Sequence, residues 1–300
     1  MTTTRSLLDI DDLTNEEIDV LFALAREFAQ RPAPRSLDGR FCANLFFEQS
    51  TRTHVSFQCA QLRLGGNVVN LTPAQLSLAT KGERLDDTAV TLRALGIDVL
   101  VARHPLSGAV AELAAAFDGC TVNAGDGTNA HPTQALLDTF TLRDLLDDLR
   151  GRTIAFVGDI RHSRVAHSSM RLLRRYGATV LAVGPEGFLT DADVPPDVEI
   201  VRDFDGVLRN IDALVMLRVQ RERFEKMPMD DAAYIAAYQL DDARLARLGA
   251  RTPILHPGPY NRGVEIVDAV TLDARWRYRE QVRNGVLVRA SLLHHLVRGW

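Results

Sequence analysis

Short apolar runs alternate with stretches of helical periodicity along almost the whole chain. The runs are FCANLFF, NVVNL, IDVLVA and CTVNA in the first half, then TIAFVGD, ATVLAVGP, VEIV, DALVML and TPILHPGP. Runs this short and apolar are typical of strands in parallel sheets, which helices cover on both faces. The pattern therefore predicts an α/β protein built from two doubly wound parallel sheets.

The segments between these runs carry helix signals. Thr14 followed by Glu17 is a capping box. The apolar residues after it trace one helical face: Ile18, Leu21, Phe22, Ala25 and Phe28. A second helix is predicted by the same spacing at Val55, Cys59 and Leu62. A longer helical stretch covers residues 131–151 and separates the two series of strands, which predicts two domains joined near residue 150. A cleft between two domains is the natural place for a ligand.

Composition and charge narrow the function classes. The net charge of −4 gives no global reason to expect nucleic acid or an anionic membrane as a partner. The three scattered cysteines form neither a disulfide framework nor a zinc site, and they favour a reducing compartment. No apolar run approaches the ~18 residues of a membrane span, and the N-terminus lacks the apolar stretch of a signal peptide. These observations predict a soluble, cytoplasmic protein.

Ligands of open parallel sheets bind beyond the carboxyl ends of the strands. The residues that follow the apolar runs are mostly cations and hydrogen-bonding groups: Glu48, Ser50, Thr51, Arg52, Thr53, Arg103, His104, His131, Gln134, Arg164, Arg218, Gln220 and the turn His256-Pro257-Gly258-Pro259. This recurrence of cations at one end of strand after strand predicts an anionic ligand.

Residues 50–53 stand where a strand ends and a helix begins. A helix N-terminus offers unpaired N–H groups and the positive end of the dipole, and hydroxyls with a guanidinium complete a phosphate site. The alternative is that Ser50 or Thr51 only caps the helix and that Arg52 is a solvated surface residue. The P-loop pattern and G-x-G-x-x-G are both absent, which weakens a nucleotide interpretation.

Five segments together resemble the catalytic chains of the aspartate carbamoyltransferase family: FFEQSTRT, HPTQALLD, LRVQRER, HPGPYNRGVEI and NGVLVR. They stand in the family's order and spacing, from about residue 6 to about residue 297. The resemblance implies a carbamoyl phosphate-binding domain (residues 1–148) and an aspartate-binding domain (residues 149–300). Two helices would bridge them, and the second, about residues 286–300, would pack back on the first domain.

The resemblance also implies a role for each matching residue. Phosphate would be held by Ser50, Thr51, Arg52 and Thr53, with Arg103 nearby, and the carbamoyl group by Thr53, His131 and Gln134. The carboxylates of aspartate would be held by Arg164, Arg218 and Gln220. The backbone of Gly258 and Pro259 would line the site through a cis peptide bond. Glu48 would link the domains on closure, through Arg164 and Arg223.

Ser77 and Lys81 match a loop that, in this family, reaches into the neighbouring subunit's site. A shared site implies at least a homotrimer, and associated regulatory or dihydroorotase-like chains stay open. The implied reaction is attack by the amine of aspartate on the carbamoyl carbon, followed by loss of phosphate. It needs no metal or other cofactor, but two anionic substrates need compensating cations. The expected catalytic residues are Arg52, Thr53, Lys81, Arg103 and His131.

Two other functions remain as alternatives. Ornithine carbamoyltransferases share STRT and HP-x-Q, but they carry a lysine at the position of Glu48 and HCLP where this chain has HPGP. Arg218-Val219-Gln220 also suits a dicarboxylate better than a cationic amine. The other alternative is a non-catalytic paralogue that binds a phosphorylated ligand as a scaffold, and the intact cations argue against it.

The chain departs from the family pattern at three positions in or just before the STRT helix. Gln49 stands where proline or alanine is commoner. His54 stands where arginine is usual and Gln58 where glutamate is usual. The two are four residues apart, which predicts a neutral pair in place of an ion pair. Residues 222–248 also match the family poorly.

Overall fold

A computed structural model of the chain describes residues 6–72, 74 and 82–298. The chain divides into two compact units, Met1–Leu137 with Val282–Trp300 (unit 1) and Asp138–Gln281 (unit 2). The boundary near residue 138 falls inside a helix rather than in a loop. Within the described ranges, no helix is long and apolar enough to cross a membrane.

Unit 1 contains a four-stranded parallel sheet in the order β2-β1-β3-β4. The strands are β1 (Phe41–Phe46), β2 (Asn67–Leu71), β3 (Ile97–His104) and β4 (Cys120–Asp126). The helices are α1 (Asn15–Gln30), α2 (Thr51–Arg63), α3 (Leu85–Ala94), α4 (Ala109–Phe117), the start of α5 (Pro132–Leu146) and most of α11 (Tyr278–Arg298). One buried cluster joins Leu45 and Leu100 of the sheet to Leu113 and Phe117 of α4.

Unit 2 contains a five-stranded parallel sheet in the order β7-β6-β5-β8-β9. The strands are β5 (Thr153–Val157), β6 (Thr179–Val183), β7 (Glu199–Val201), β8 (Ala213–Met216) and β9 (Ile254–Leu255). Its other helices are α6 (Arg164–Arg175), α7 (Phe204–Val207), α8 (Asp231–Tyr238), α9 (Asp242–Arg247) and α10 (Asp268–Leu272). Two buried clusters cover opposite faces of this sheet. The predicted α/β class with two parallel sheets is confirmed.

The first helix forms as its sequence predicts. The Thr14 hydroxyl accepts from the Glu17 N–H at 3.2 Å, and the Glu17 carboxylate accepts from the Thr14 N–H at 2.7 Å. The apolar face is buried at all five predicted positions, which are Ile18, Leu21, Phe22, Ala25 and Phe28. The capping box therefore starts α1 and the apolar stripe fixes it to unit 1.

Helix α2 is confirmed, but the apolar stripe that predicted it is not its buried face. Val55 and Leu62 are 48% and 55% exposed. The inward face combines the apolar Phe57 and Ala60 with polar side chains, and Gln61 and Asn44 of β1 exchange two buried hydrogen bonds of 3.0 and 2.9 Å. Polar groups are tolerated in a core when they are paired in this way.

His54 and Gln58 do not form the predicted pair along α2. The His54 Nε2 atom instead lies 2.8 Å from the Asn70 side-chain oxygen on β2. The His54 ring also stacks on Phe46, with the ring centroids 4.7 Å apart. The His54 imidazole is therefore held by side chains of β1 and β2, and the pair with Gln58 that the helical spacing predicted was wrong.

Two helix boundaries differ from the sequence prediction. Helix α5 ends at Leu146, and Asp147 adopts a left-handed conformation with φ of 62° that stops it. Helix α11 begins at Tyr278, well before the predicted start. Its buried residue Arg289 donates to the Ser56 hydroxyl of α2 at 2.8 Å, which joins two helices of unit 1.

Candidate active site

In each sheet there is one pair of adjacent strands from which the chain continues toward opposite edges of the sheet. In unit 1 this pair is β1 and β3, since β2 is on the far side of β1. In unit 2 it is β5 and β8, since β6 and β7 are on the far side of β5. Such switch points open a crevice at the carboxyl ends of the strands, where ligands of α/β proteins bind. The candidate residues follow these four strands and the strands β4 and β9 next to them.

The STRT segment forms the N-terminus of α2. Ser50 is the N-cap, and its hydroxyl accepts from the Thr53 N–H at 3.4 Å. Thr51, Arg52 and Thr53 are the first three residues of the helix, and Thr53 is buried while Thr51 is exposed. This first turn begins five residues after the last residue of β1, and it carries the N–H groups and the positive end of the dipole of a 13-residue helix. Ser50 thus acts as a cap, and capping leaves the other donors of the turn for an anion.

Arg103 stands at the end of β3, next to the end of β1. Its guanidinium donates to the Ala124 carbonyl at 3.2 Å and lies 3.0 Å from a carboxylate oxygen of Glu48. The Arg103 side chain is only 12% exposed and that of Glu48 is 30% exposed. A half-buried carboxylate therefore faces a cation that the family resemblance predicts to lie near the phosphate.

The loop from β4 to α5 brings His131 and Gln134 to this same end of the sheet. Its organiser is the buried Asp126, whose carboxylate accepts from the Gly108 N–H at 2.8 Å and the Ala130 N–H at 3.3 Å. The His131 carbonyl accepts from the Gln134 N–H at 3.0 Å and so starts α5, and its side chain is buried. Sequence reasoning missed Asp126, although an acidic residue at the carboxyl end of a strand is a visible signal.

Arg164 opens α6 beyond the end of β5. The Ser163 hydroxyl caps this helix by accepting from the Ala166 N–H at 3.1 Å. Arg164 is 7% exposed, which distinguishes it from an ordinary surface arginine.

Asp159 connects the β5 and β8 ends of unit 2. This fully buried carboxylate accepts from the Gln220 N–H at 3.1 Å, the His162 N–H at 3.3 Å and the His162 Nδ1 atom at 3.0 Å. In return, the Gln220 side-chain amide donates to the His162 carbonyl at 2.9 Å. Asp159 is therefore more than a turn residue, because it fixes both loops that carry the candidate aspartate ligands.

Two residues beside Asp159 show how tightly this corner is packed. Gly158 has φ of +128°, and a Cβ atom there would lie 2.8 Å from the Leu217 carbonyl oxygen, so only glycine fits. Burial raises the pKa of the Tyr234 hydroxyl far above its usual value, and the carboxylates of Glu265 and Asp159 act in the same direction. Tyr234 stays protonated at neutral pH.

Arg218 follows β8 and pairs with Glu222 four residues later. The side chains of Arg218 and Glu222 are 26% and 57% exposed. Because the partner is largely solvated, a ligand carboxylate can replace it at small cost. Arg223 lies in the short 3₁₀ helix Arg221–Arg223 of the same loop.

The turn after β9 contains the predicted cis peptide bond between Gly258 and Pro259, which is confirmed. Gly258 is half-buried and Pro259 is exposed, so the turn reaches the surface of unit 2.

The candidates thus form two groups. Glu48, residues 50–53, Arg103, His131 and Gln134 gather at the carboxyl end of the first sheet; Arg164, Arg218, Gln220, Arg223, Gly258 and Pro259 gather at that of the second. Ser77 and Lys81 lie outside the described residues. In the part of the chain that the structure describes, no group of three or more His, Cys, Asp or Glu side chains could hold a metal ion.

Two family models match the chain. The model for the carbamoyl-P binding domain of aspartate/ornithine carbamoyltransferase matches residues 5–144, and the model for the Asp/Orn binding domain matches residues 150–296.

Relatives and solved structures agree with these models. The aspartate carbamoyltransferase catalytic subunit of Salinispora arenicola is 47% identical over 91% of this chain and 89% of its own length. That of Azorhizobium caulinodans is 46% identical over 98% of this chain and 93% of its own. Aspartate transcarbamoylase from Trypanosoma cruzi, in complex with carbamoyl aspartate and phosphate, superposes with a TM-score of 0.87 at 32% identity, covering 97% of this chain and 95% of that chain.

Proposed function

The chain belongs to the aspartate/ornithine carbamoyltransferase family, and from that premise we propose that it transfers the carbamoyl group of carbamoyl phosphate to the amino group of L-aspartate. The products are N-carbamoyl-L-aspartate and phosphate. The observation that carries the proposal is that each unit gathers anion-binding residues, a helix N-terminus with Arg52 and Arg103 in unit 1 and Arg164, Arg218 and Gln220 in unit 2. The first suits a phosphate and the second suits a dicarboxylate.

The chemistry asks for charge compensation and positioning rather than for a strong base. The amine of aspartate attacks the carbamoyl carbon, and a tetrahedral intermediate forms. The C–O bond to phosphate then breaks, and the departing phosphate takes up the proton that the amine loses. Thr53, Arg103 and His131 are the groups we assign to the developing oxyanion. Binding both substrates in one orientation supplies the rest of the acceleration.

The remaining roles follow from the same premise. Phosphate is held by Ser50, Thr51, Arg52 and Thr53; the carbamoyl group by Thr53, His131 and Gln134; aspartate by Arg164, Arg218, Gln220 and the Gly258–Pro259 backbone; and a neighbouring subunit contributes Ser77 and Lys81. Residues 1–148 act as the carbamoyl phosphate-binding domain and residues 149–300 as the aspartate-binding domain. The enzyme is cytoplasmic and serves de novo pyrimidine biosynthesis.

Glu48 is assigned to domain closure, with Arg164 and Arg223 as partners. Its carboxylate also lies 3.0 Å from the guanidinium of Arg103. Carbamoyl phosphate at Arg103 weakens that contact, because a dianion competes with the carboxylate for the same guanidinium.

The functional unit is a homotrimer, and α2 supports this assignment. Val55 and Leu62 form an exposed apolar stripe on α2, and Val69 is 37% exposed on the adjacent edge strand β2. Apolar residues in such an arrangement are typical of subunit contacts.

The trimer is tested by sedimentation velocity. We expect wild-type protein to sediment as a trimer and Leu62→Asp to dissociate it. Leu272→Asp is the matched control, since Leu272 is 86% exposed and lies in unit 2. A monomeric wild type, or dissociation by Leu272→Asp as well, would contradict the assignment.

The activity is tested by incubating the protein with carbamoyl phosphate and either aspartate, ornithine or N-acetylornithine, and measuring the carbamoylated product. We expect turnover with aspartate alone and its loss in Arg52→Ala. Turnover with another amine would retain the phosphate site but overturn the assignment of Arg218 and Gln220. Binding of carbamoyl phosphate without turnover would instead indicate a scaffold paralogue.

A further inference from the structure

The turn after β9, His256-Pro257-Gly258-Pro259-Tyr260-Asn261, is held by buried polar side chains at both ends. At its start, the Gly258 N–H donates to the His256 Nδ1 atom at 2.8 Å. An Nδ1 atom that accepts a hydrogen bond carries no proton, so the neutral ring is protonated on Nε2. That Nε2 atom lies 3.5 Å from a carboxylate oxygen of Glu265.

The same carboxylate oxygen holds the other end of the turn. The Asn261 N–H donates to the Glu265 Oε1 atom at 2.7 Å. Pro257 and Pro259 have no N–H group, so residues 257–261 offer three N–H donors, and two of them go to His256 and Glu265. The two anchors therefore lie next to each other, and each holds one end of the backbone of the turn.

A third anchor lies behind the turn. The His256 N–H donates to the Gln281 side-chain oxygen at 3.0 Å, and the Gln281 amide donates to Asp138 at 2.8 Å. His256 and Glu265 are fully buried, and Gln281 and Asp138 are 1% exposed. Burying four polar side chains in this way is costly unless they are bonded, and an aliphatic core would close a simple turn more cheaply.

The hydrogen bonds also decide which backbone groups face outward. The N–H and C=O groups of a peptide unit share one plane. Anchoring the Gly258 N–H on the imidazole therefore fixes the peptide plane that carries the Pro257 carbonyl, and anchoring the Asn261 N–H fixes the plane of the Tyr260 carbonyl. The part of the turn that reaches the surface, half-buried Gly258 and exposed Pro259, lies between these two fixed planes.

We propose that His256 and Glu265 are positioning residues for the carbamoyl acceptor: together they hold the backbone of the 256–261 turn in the orientation that receives the amine substrate. This rests on the proposed function, because it assigns that turn to the aspartate side of the reaction. The two residues act through the backbone and not by contact with the substrate. A residue that serves only folding would affect stability alone, whereas a positioning residue changes the aspartate KM and kcat in a protein that still folds.

The variants His256→Leu and His256→Asn separate the two roles. An asparagine side-chain oxygen accepts readily from the N–H two residues later, so asparagine can rebuild the bond to Gly258, whereas leucine cannot. His104 provides the matched control, because its Nδ1 atom accepts from the Leu106 N–H at 3.0 Å in the same His-Pro arrangement after β3 of unit 1.

The experiment measures kcat, the aspartate KM and urea unfolding for wild type and for these variants at saturating carbamoyl phosphate. We expect His256→Leu to raise the aspartate KM about ten- to a hundredfold, His256→Asn to restore most of it, and His104→Leu to lower stability without raising that KM. An unchanged KM in His256→Leu, no rescue by asparagine, or an equal rise in His104→Leu would overturn the proposal.

Glu265→Gln keeps the proposal testable if His256→Leu does not fold. Glutamine retains an oxygen for the Asn261 N–H but loses the charge beside His256, so we expect a rise of a few-fold in the aspartate KM, and no rise would overturn the proposal. Wild-type turnover with a different amine would refute the proposed function alone, because the positioning role is then read from the KM of that amine. Absence of turnover with every amine would refute both.

Discussion

Asp159 offers the sharpest test of how unit 2 is organised. Its carboxylate is fully buried and accepts from the Gln220 N–H, the His162 N–H and the His162 Nδ1 atom, at 3.1, 3.3 and 3.0 Å. A buried donor that loses its partner costs about 1–3 kcal/mol. Asp159→Ala would strand three donors and cost roughly 3–9 kcal/mol by that figure, a large part of the 5–15 kcal/mol that holds a domain folded.

Asp159→Asn is the better variant, because it keeps one acceptor oxygen and the shape of the side chain. Its amide nitrogen faces at least one of the donors, so we expect the free energy of unfolding to fall by about 1–3 kcal/mol. Loosening of Gln220 should raise the aspartate KM roughly tenfold, which corresponds to about 1.4 kcal/mol. The affinity for carbamoyl phosphate should not change, since its assigned ligands lie in unit 1.

The assay combines urea unfolding with initial rates at varied aspartate and with calorimetric titration of carbamoyl phosphate. Asp193→Asn is the matched control, because its carboxylate accepts from the Thr190 N–H at 2.7 Å and hydroxyl at 2.8 Å in a solvated position of the same unit. It should cost up to ~1 kcal/mol of stability and leave the aspartate KM unchanged. An Asp159→Asn enzyme with reduced stability but a normal aspartate KM would refute the reasoning.

Three further predictions follow from single contacts. Thr14→Ala should lower the free energy of unfolding by about 1 kcal/mol in urea titrations, whereas Thr14→Ser should not, because serine keeps the hydroxyl that caps α1 and alanine does not. Equal stability of the two variants would contradict this role of the cap. The hydrogen bond from Arg275 holds the pKa of Asp273 below its usual 3.8, so the stabilisation from this contact is complete above pH 3.8 and is lost as the pH falls further. The melting temperature should therefore fall less in acid for Asp273→Asn than for wild type. An equal fall in both proteins would disprove this. Glu48→Gln should raise the affinity for carbamoyl phosphate in calorimetry, because Arg103 loses its competing carboxylate. The same variant should raise the aspartate KM, because the charge assigned to domain closure is lost. No change in either quantity would exclude the closure role.

The fold was largely predictable because strand and helix signals are local. All nine described strands match apolar runs of the sequence, and the capping box at Thr14 marks the start of α1. The inward face of α2 was not predictable, because its buried Gln61 depends on a partner, Asn44, on a different element. Periodicity locates a helix but cannot identify which stripe is covered when the core contains paired polar groups.

The site shows the same division between local and distant information. Cations after strands are visible in the sequence, and so is the cis-prone Gly-Pro pair. The side chains that hold these loops in place cannot be recognised from the sequence. The Asp159 carboxylate accepts from the Gln220 N–H, 61 positions away, and the His256 N–H donates to the Gln281 side chain, 25 positions away. Such pairings exist only once strands β5, β8 and β9 are neighbours in one sheet.

The central claim is that the phosphate-binding residues of unit 1 and the dicarboxylate-binding residues of unit 2 serve the two substrates of one reaction. Calorimetric titration with N-(phosphonacetyl)-L-aspartate, the ligand in one of the Trypanosoma cruzi structures, tests it most directly because that molecule carries both chemical groups. We predict one binding event per chain that is weakened by Arg52→Ala and also by Arg218→Ala. Binding that Arg218→Ala leaves unchanged, or no binding to the wild type, would contradict the claim.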